Sequence, residues 1–196
     1  MNDNCSVNTE PDIGKPASGG HIFLIGFMGA GKSTVARQLK RQKGLDIVEM
    51  DQIIAQEQKM SCPQIVEKFG EEHFRKLETD LLLSLSSEKP KVVSCGGGVA
   101  MRPENVKAMK DCGTVILLKA MPSTILERVK DSHERPLLEN NKTVEHIEKL
   151  MAARKGAYEA AADYQVSTDG KSSEQIAQKI DSLLAADCEK KRLKHV

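Results

Sequence analysis

The sequence has few aromatic residues and almost no net charge. It contains no tryptophan, and only 3% of its 196 residues are aromatic, so it lacks the stacking surfaces that bind single-stranded nucleic acid. The net charge of +1 supplies no general attraction for nucleic acid or for an anionic membrane surface. We therefore expect small-molecule partners rather than nucleic acid or membrane.

Paired cysteines and long apolar runs are also missing. The five cysteines are scattered and odd in number, without the close spacing typical of metal sites or disulfide frameworks. We therefore expect reduced thiols and a cytoplasmic location. No apolar run approaches the roughly 18 residues of a membrane span, and no basic segment followed by an apolar one marks a signal peptide.

The sequence does contain a phosphate-binding motif at residues 26–34. These residues read G-x-x-x-x-G-K-[ST], the pattern of a P-loop. A β-favouring segment precedes the motif and a helix-favouring segment follows it, so phosphates would meet the unpaired N–H groups of a helix N-terminus. Lys32 is expected to reach the β- and γ-phosphates of a nucleotide, and the Ser33 hydroxyl to bind Mg²⁺. The expected nucleotide-binding residues of this loop are Gly29, Ala30, Gly31, Lys32, Ser33 and Thr34.

Strand-like and helix-like segments alternate along the chain. The β-favouring segments are residues 21–25, 45–49, 91–95, 114–119 and 164–167. Segments with helical apolar spacing separate them, which predicts an α/β fold with a five-stranded parallel sheet and helices on both faces. Ligands of such folds bind beyond the carboxyl ends of the strands.

The chain length suits one domain. We expect a disordered leader at residues 1–20, a single domain at residues 21–187 and a frayed basic tail at residues 188–196. The polar segment 131–141 is expected to be a mobile loop.

An aspartate and an arginine are the first candidates for substrate binding. Asp51 follows the second strand, where its carboxylate could take a proton from a substrate hydroxyl or could cap the next helix. Arg75 lies on a predicted helix, where its guanidinium could bind a carboxylate bidentately or pair with Glu71 or Glu78.

Three consecutive glycines and three more arginines are further candidates. Residues 96–98 end the third strand, where glycines let a ligand approach the backbone or form a tight turn. Arg128 and Arg135 flank the start of the polar loop, where an arginine could neutralise phosphate charge or stay solvated. Arg154 could reach a ligand or pair with Glu159.

Together these features resemble the shikimate kinase family. The matching stretches are residues 26–34, Asp51, residues 70–78, residues 94–98, residues 135–138 and residues 154–158. The most specific are Gly-Glu-x-x-Phe-Arg-x-x-Glu and the Arg-Pro-Leu-Leu loop, and the resemblance spans residues 22–184. It implies a nucleoside-monophosphate-kinase-like fold with a mobile lid, and transfer of the ATP γ-phosphate to the 3-hydroxyl of shikimate.

The resemblance also implies roles at the substrate site. Asp51 would meet the substrate hydroxyls. Arg75 and Arg154 would clamp the carboxylate of shikimate, while Gly97 and Gly98 line the same site. These five residues are therefore the expected substrate-binding set.

At the nucleotide, the resemblance places Arg135 on the phosphates with the lid and Arg128 against adenine. Lys32, Asp51 and Arg135 form the implied catalytic set. Ser33 would bind Mg²⁺ together with an acidic residue that holds the metal through water.

The sequence departs from the family at two positions. The family usually has Asp-x-Asp after the second strand, and the first of these acids is here Glu49, which is one methylene longer. Glu49 therefore becomes the expected metal-binding acid. Gly156 stands where the family often has proline.

Two other functions remain open from the sequence. One is a different small-molecule kinase, such as a gluconate kinase, and the other is a nucleotide-binding regulatory module with a degenerate site. The paired arginines and triple glycine favour shikimate kinase. We expect a monomer whose partners are ATP and shikimate.

Overall fold

The computed structural model describes residues 20–130 and 143–193. Its strands are β1 His21–Ile25, β2 Asp46–Glu49, β3 Lys91–Ser94, β4 Gly113–Lys119 and β5 Tyr164–Ser167. Its helices are α1 Lys32–Lys43, α2 Met50–Gln58, α3 Cys62–Phe69, α4 Glu71–Ser84, α5 Pro103–Cys112, α6 Pro122–Val129, α7 Val144–Ala161 and α8 Ser173–Leu193. Short 3₁₀ helices cover Leu85–Ser87 and Val99–Met101.

The five strands form one parallel sheet in the order β2-β3-β1-β4-β5. The strand before the P-loop, β1, is therefore central. Glu49 at the end of β2 pairs in register with Ser94 at the end of β3, and Ser94 pairs with Leu24 of β1. The carboxyl ends of three strands thus meet beside the P-loop, as the sequence predicts.

Helices cover both faces of the sheet. On one face, buried residues of α1, α6 and α8 join a cluster with Leu24 and Ile116. On the other, residues of α4, α5 and α7 join a cluster with Phe23 and Val115. Alternate residues of β1 and β4 point to opposite faces, which explains why buried parallel strands are apolar throughout. The predicted fold class is confirmed.

Local signals set several helix ends. Ser61 and Gln64 form a reciprocal capping box at the start of α3. Gly44 ends α1 with a φ of 69°, a left-handed value that glycine adopts readily. Helix α2 begins at Met50, so Asp51 lies in its first turn.

Helix α8 runs to Leu193 and so enters the segment expected to be a frayed tail. Its fraying in solution, like the domain limits, stays a prediction. The expected leader through residue 19 and the lid segment, including Arg135, lie outside the described residues. Within the described ranges, no helix combines the length and the apolar character needed to cross a membrane.

Candidate active site

The P-loop connects β1 to α1 at the centre of the sheet edge. Gly26 has a φ of 138°, and a Cβ added there would collide with the carbonyl oxygen of Leu118 on the neighbouring strand. Only glycine fits this close approach. Lys32 opens α1 and its Nζ donates to the carbonyl oxygens of Gly26 and Phe27 at 2.8 and 3.3 Å. Its ammonium group therefore lies over the loop that would hold phosphates.

Three oxygen-bearing side chains meet next to Lys32 at the start of α1. The Ser33 hydroxyl donates to Glu49 Oε2 at 2.9 Å and lies 3.4 Å from the Ser94 hydroxyl. The other oxygen of this carboxylate, Oε1, is buried and has no hydrogen-bond partner among the described residues. Carboxylate and hydroxyl oxygens are the ligands that Mg²⁺ prefers. The longer Glu49 thus reaches Ser33, and the pair could hold such a cation.

The triple glycine lies across the sheet edge from the P-loop, and each glycine faces a different group. A Cβ at Gly96 would collide with the carboxylate of Glu78 and lie 2.8 Å from Asp51 Oδ1. A Cβ at Gly98 would overlap the guanidinium of Arg75. The glycines therefore make room for charged side chains, which a plain tight turn does not require.

Arg75 is held by carboxylates of its own helix. Its guanidinium donates to Glu78 at 2.7 Å and to Glu71 at 2.8 Å. Burial opposes its charge, but these two partners raise the pKa of Arg75. The pairing that the sequence left as an alternative is thus present, and it holds the guanidinium against Gly98.

Glu78 is fully buried, with 0% of its surface exposed. Burial raises the pKa of its carboxyl group, and the charge of Arg75 opposes that shift. Its Oε1 has no hydrogen-bond partner within the described part of the chain. A buried carboxylate is costly unless it is paired and hydrogen-bonded, and Arg75 supplies that pairing at 2.7 Å.

Arg154 approaches the same glycines from α7. Its Nη1 would lie 3.6 Å from a Cβ at Gly97, and its guanidinium lies 5.9 Å from the ring centroid of Phe27 in the P-loop. Its alternative partner Glu159 lies 3.7 Å from Lys119. Two guanidinium groups thus converge on adjacent glycines of one loop, on the same side of the molecule as Lys32.

Asp51 is exposed, and its carboxylate lies near Gly96. The N-cap of α2 is Glu49, so the alternative role of Asp51 as a helix cap is wrong. The Cys62 thiol donates to the Asp51 carbonyl oxygen at 3.4 Å. Burial and the charges of Asp51 and Glu78 raise the pKa of this thiol to about 11.

Arg128 connects the P-loop to the turn after β5. Its Nη1 donates to the Gly29 carbonyl oxygen at 3.2 Å and to the Thr168 hydroxyl at 3.1 Å. Its Nη2 donates to the Thr168 carbonyl oxygen at 3.1 Å. The guanidinium is therefore fixed beside the P-loop and is not a freely solvated charge.

Three side chains at this site were not among the site residues expected from the sequence. They are Glu78, Tyr158 and Thr168. The sequence spacing could have identified two of them. Glu78 lies three residues after Arg75, and Tyr158 lies four residues after Arg154, so each pair lies on one face of a helix. Thr168 had no such signal, because it meets Arg128 only in the folded chain.

The central P-loop, the parallel sheet and the charged groups at its carboxyl edge define a P-loop kinase of small molecules. The family model described as shikimate kinase matches residues 28–185. The chain belongs to the shikimate kinase family.

Similar proteins agree with this assignment. Shikimate kinase of Geobacter sulfurreducens is 41% identical over 165 residues, covering 84% of this chain and 91% of the relative. That of Persephonella marina is 42% identical, covering 82% and 96%. The structure of Acinetobacter baumannii shikimate kinase in complex with shikimate superimposes with a TM-score of 0.81 at 32% identity, covering 88% of this chain and 98% of that one.

A gluconokinase from Sinorhizobium meliloti also superimposes, with a TM-score of 0.60, but at 18% identity. It therefore shares the fold alone, and this likeness gives the gluconate kinase alternative no support. The alternative of a non-enzymatic nucleotide-binding module is opposed by membership of a kinase family.

Proposed function

We propose that this chain transfers the γ-phosphate of ATP to the 3-hydroxyl of shikimate, giving shikimate 3-phosphate and ADP. One observation carries the proposal: Arg75 and Arg154 converge on adjacent glycines at the sheet edge that holds the P-loop. Paired guanidinium groups suit a carboxylate, and shikimate carries a carboxylate beside a ring of hydroxyls. The similar shikimate kinase of Acinetobacter baumannii is described in complex with shikimate, which supports the same substrate for this chain.

The roles of the nucleotide-binding residues follow from the P-loop. The N–H groups of residues 29–34 surround the phosphates, and Lys32 moves from its carbonyl partners to the β- and γ-phosphates. Ser33 and Glu49 would hold Mg²⁺, which would neutralise charge on the phosphates. The resemblance to the family assigns Arg128 to the adenine and Arg135 to the phosphates.

The roles at the substrate follow from the glycine loop. The shikimate carboxylate lies between Arg75 and Arg154, with Gly97 and Gly98 against the ring. Asp51 orients the attacking hydroxyl and accepts its hydrogen bond. Because phosphoryl transfer depends mainly on positioning and charge stabilisation, no covalent step on the protein is needed. We also propose a cytoplasmic monomer.

A coupled assay of ADP release tests the activity. We expect turnover with ATP, Mg²⁺ and shikimate, and none above background with gluconate. Turnover of folded protein with gluconate but not with shikimate would overturn the proposal.

The carboxylate clamp is tested by Arg154→Ala. We expect the KM for shikimate to rise about 10- to 100-fold, as for loss of a hydrogen bond to a charged group, while the KM for ATP changes less than about twofold. We prefer this position to Arg75 because Arg75→Ala would leave the buried Glu78 unpaired and could unfold the protein. An equal rise of both KM values would contradict the clamp.

A further inference from the structure

Tyr158 connects α7 to the triple glycine. Its ring is part of the core cluster that contains Phe23 and Val93, and only 5% of its surface is exposed. Its hydroxyl donates to the Gly97 carbonyl oxygen at 2.6 Å, across 61 residues of sequence. Arg154, one turn earlier on the helix, comes to the same glycine: a Cβ added at Gly97 would lie 3.6 Å from Arg154 Nη1 and 3.8 Å from the Tyr158 hydroxyl.

The Tyr158 hydroxyl can serve both neighbours at once. A tyrosine hydroxyl has one hydrogen to donate and lone pairs that accept. Because the hydrogen goes to the Gly97 carbonyl oxygen, the lone pairs face outward as acceptors for the nearby Arg154 guanidinium, which has only donors. The hydroxyl therefore lies where it can set the loop and the arginine relative to each other.

We propose that Tyr158 is a positioning residue for the carboxylate of the substrate. Tyr158 holds Arg154 and the Gly97 backbone at the spacing that the carboxylate of shikimate needs. This inference rests on the proposed function. The aromatic ring supplies core packing, whereas the hydroxyl supplies the positioning.

The hydroxyl stays a donor throughout the working range of pH. Burial raises the pKa of Tyr158, and the charge of Arg154 only partly opposes this shift. The phenol is therefore neutral wherever the enzyme is assayed, and its hydrogen remains available to Gly97.

Tyr158→Phe separates these two contributions because it keeps the ring and removes only the hydroxyl. We expect the KM for shikimate to rise about 5- to 10-fold, the size of one lost hydrogen bond, with kcat and the KM for ATP within about twofold of the original enzyme. Titration calorimetry should show the same loss in shikimate affinity.

Tyr164→Phe is the matched control, since it makes the same change at the only other tyrosine, on β5 against the opposite core cluster. We expect both of its KM values to be unchanged. A double mutant with Arg154→Ala adds a second readout. If Tyr158 acts through Arg154, Tyr158→Phe should raise the KM for shikimate less in that background than alone.

The outcomes are distinct from failure of the proposed function. If the original enzyme does not phosphorylate shikimate, the proposed function fails. If it does, and Tyr158→Phe leaves the KM for shikimate unchanged or raises both KM values equally, Tyr158 is structural only and the inference is wrong.

Discussion

At Gly98 the backbone φ is −101°, a value that every residue adopts easily. The position therefore does not need glycine for its conformation. It needs glycine because an added Cβ would overlap the guanidinium of Arg75. This distinction makes Gly98 a clean test of what the glycine loop does.

We predict that Gly98→Ala will raise the KM for shikimate about tenfold or more, by displacing Arg75 from a position worth a charged hydrogen bond. The KM for ATP should change little, because no P-loop residue contacts the added methyl group among its nearest neighbours. Steady-state kinetics with each substrate varied in turn measures both values.

Gly156→Ala is the control for that substitution. Gly156 lies inside α7, and a Cβ there meets nothing within 4 Å. We expect unchanged kinetics and a gain in stability of about 0.5–1 kcal/mol, because alanine favours a helix over glycine. If Gly98→Ala left the shikimate KM unaltered, the contact between Arg75 and the loop would have no role in binding.

At the scale of secondary-structure elements, the turn after β5, which contains Thr168 and Asp169, contacts both ends of α6. The Asp169 carboxylate accepts from the Met121 backbone N–H at 2.9 Å, just before the helix begins. Thr168, only 1% exposed, binds Arg128 in the last turn. A Cβ at Gly29 would lie 2.9 Å from Val129 Cγ1, so the same turn of α6 packs on the P-loop. The turn, α6 and the P-loop are thus joined by direct contacts.

We predict that Thr168→Val, which removes the hydroxyl but keeps the shape, will raise the KM for ATP about 3- to 10-fold through one lost hydrogen bond. The KM for shikimate should stay within about twofold. Thr168→Ser keeps the hydroxyl and should retain the original ATP affinity. Similar ATP affinities for the valine and serine variants would show that the Arg128 contact does not position the nucleotide.

The starts of the helices show how far secondary structure can be predicted from local sequence. Side-chain caps at Ser61 and Thr143 mark the starts of α3 and α7 by local signals. The start of α2 has no such signal, because its N-cap, Glu49, makes no side-chain cap hydrogen bond. The same residue instead turns its carboxylate to Ser33, so a contact with another element determined its conformation.

On the scale of the whole molecule, burial controls the reactivity of the thiols. Cys95 is 2% exposed, and burial raises its pKa above the usual range. Cys62 is partly exposed beside Asp51, with its pKa raised to about 11, whereas Cys188 is exposed on α8. Because the thiolate is the reactive form, these positions differ in reactivity.

We predict that iodoacetamide labels Cys188 before Cys62, and that Cys95 stays unlabelled in the folded protein. Labelling of Cys62 should accelerate about tenfold per pH unit from pH 7 to 10, because the thiolate fraction rises that steeply below the pKa. Peptide mass spectrometry at timed intervals measures each rate. A Cys62 rate that is flat across this range would contradict the raised pKa.

The sequence by itself determined the P-loop, the order of strands and helices, and the resemblance to shikimate kinases. These depend on local patterns: a contiguous loop motif, apolar periodicity and short stretches of fixed spacing. It also placed Arg75 and Arg154 in the candidate site, but only as arginines with competing partners.

Only the tertiary structure decided which groups meet. Arg128 reaches Gly29 across 99 residues, and Tyr158 reaches Gly97 across 61. Such pairs depend on how each helix is rotated and packed on the sheet, and periodicity gives the buried face of a helix without giving its partner. The proposed carboxylate site therefore requires α4 and α7 to pack against one glycine loop.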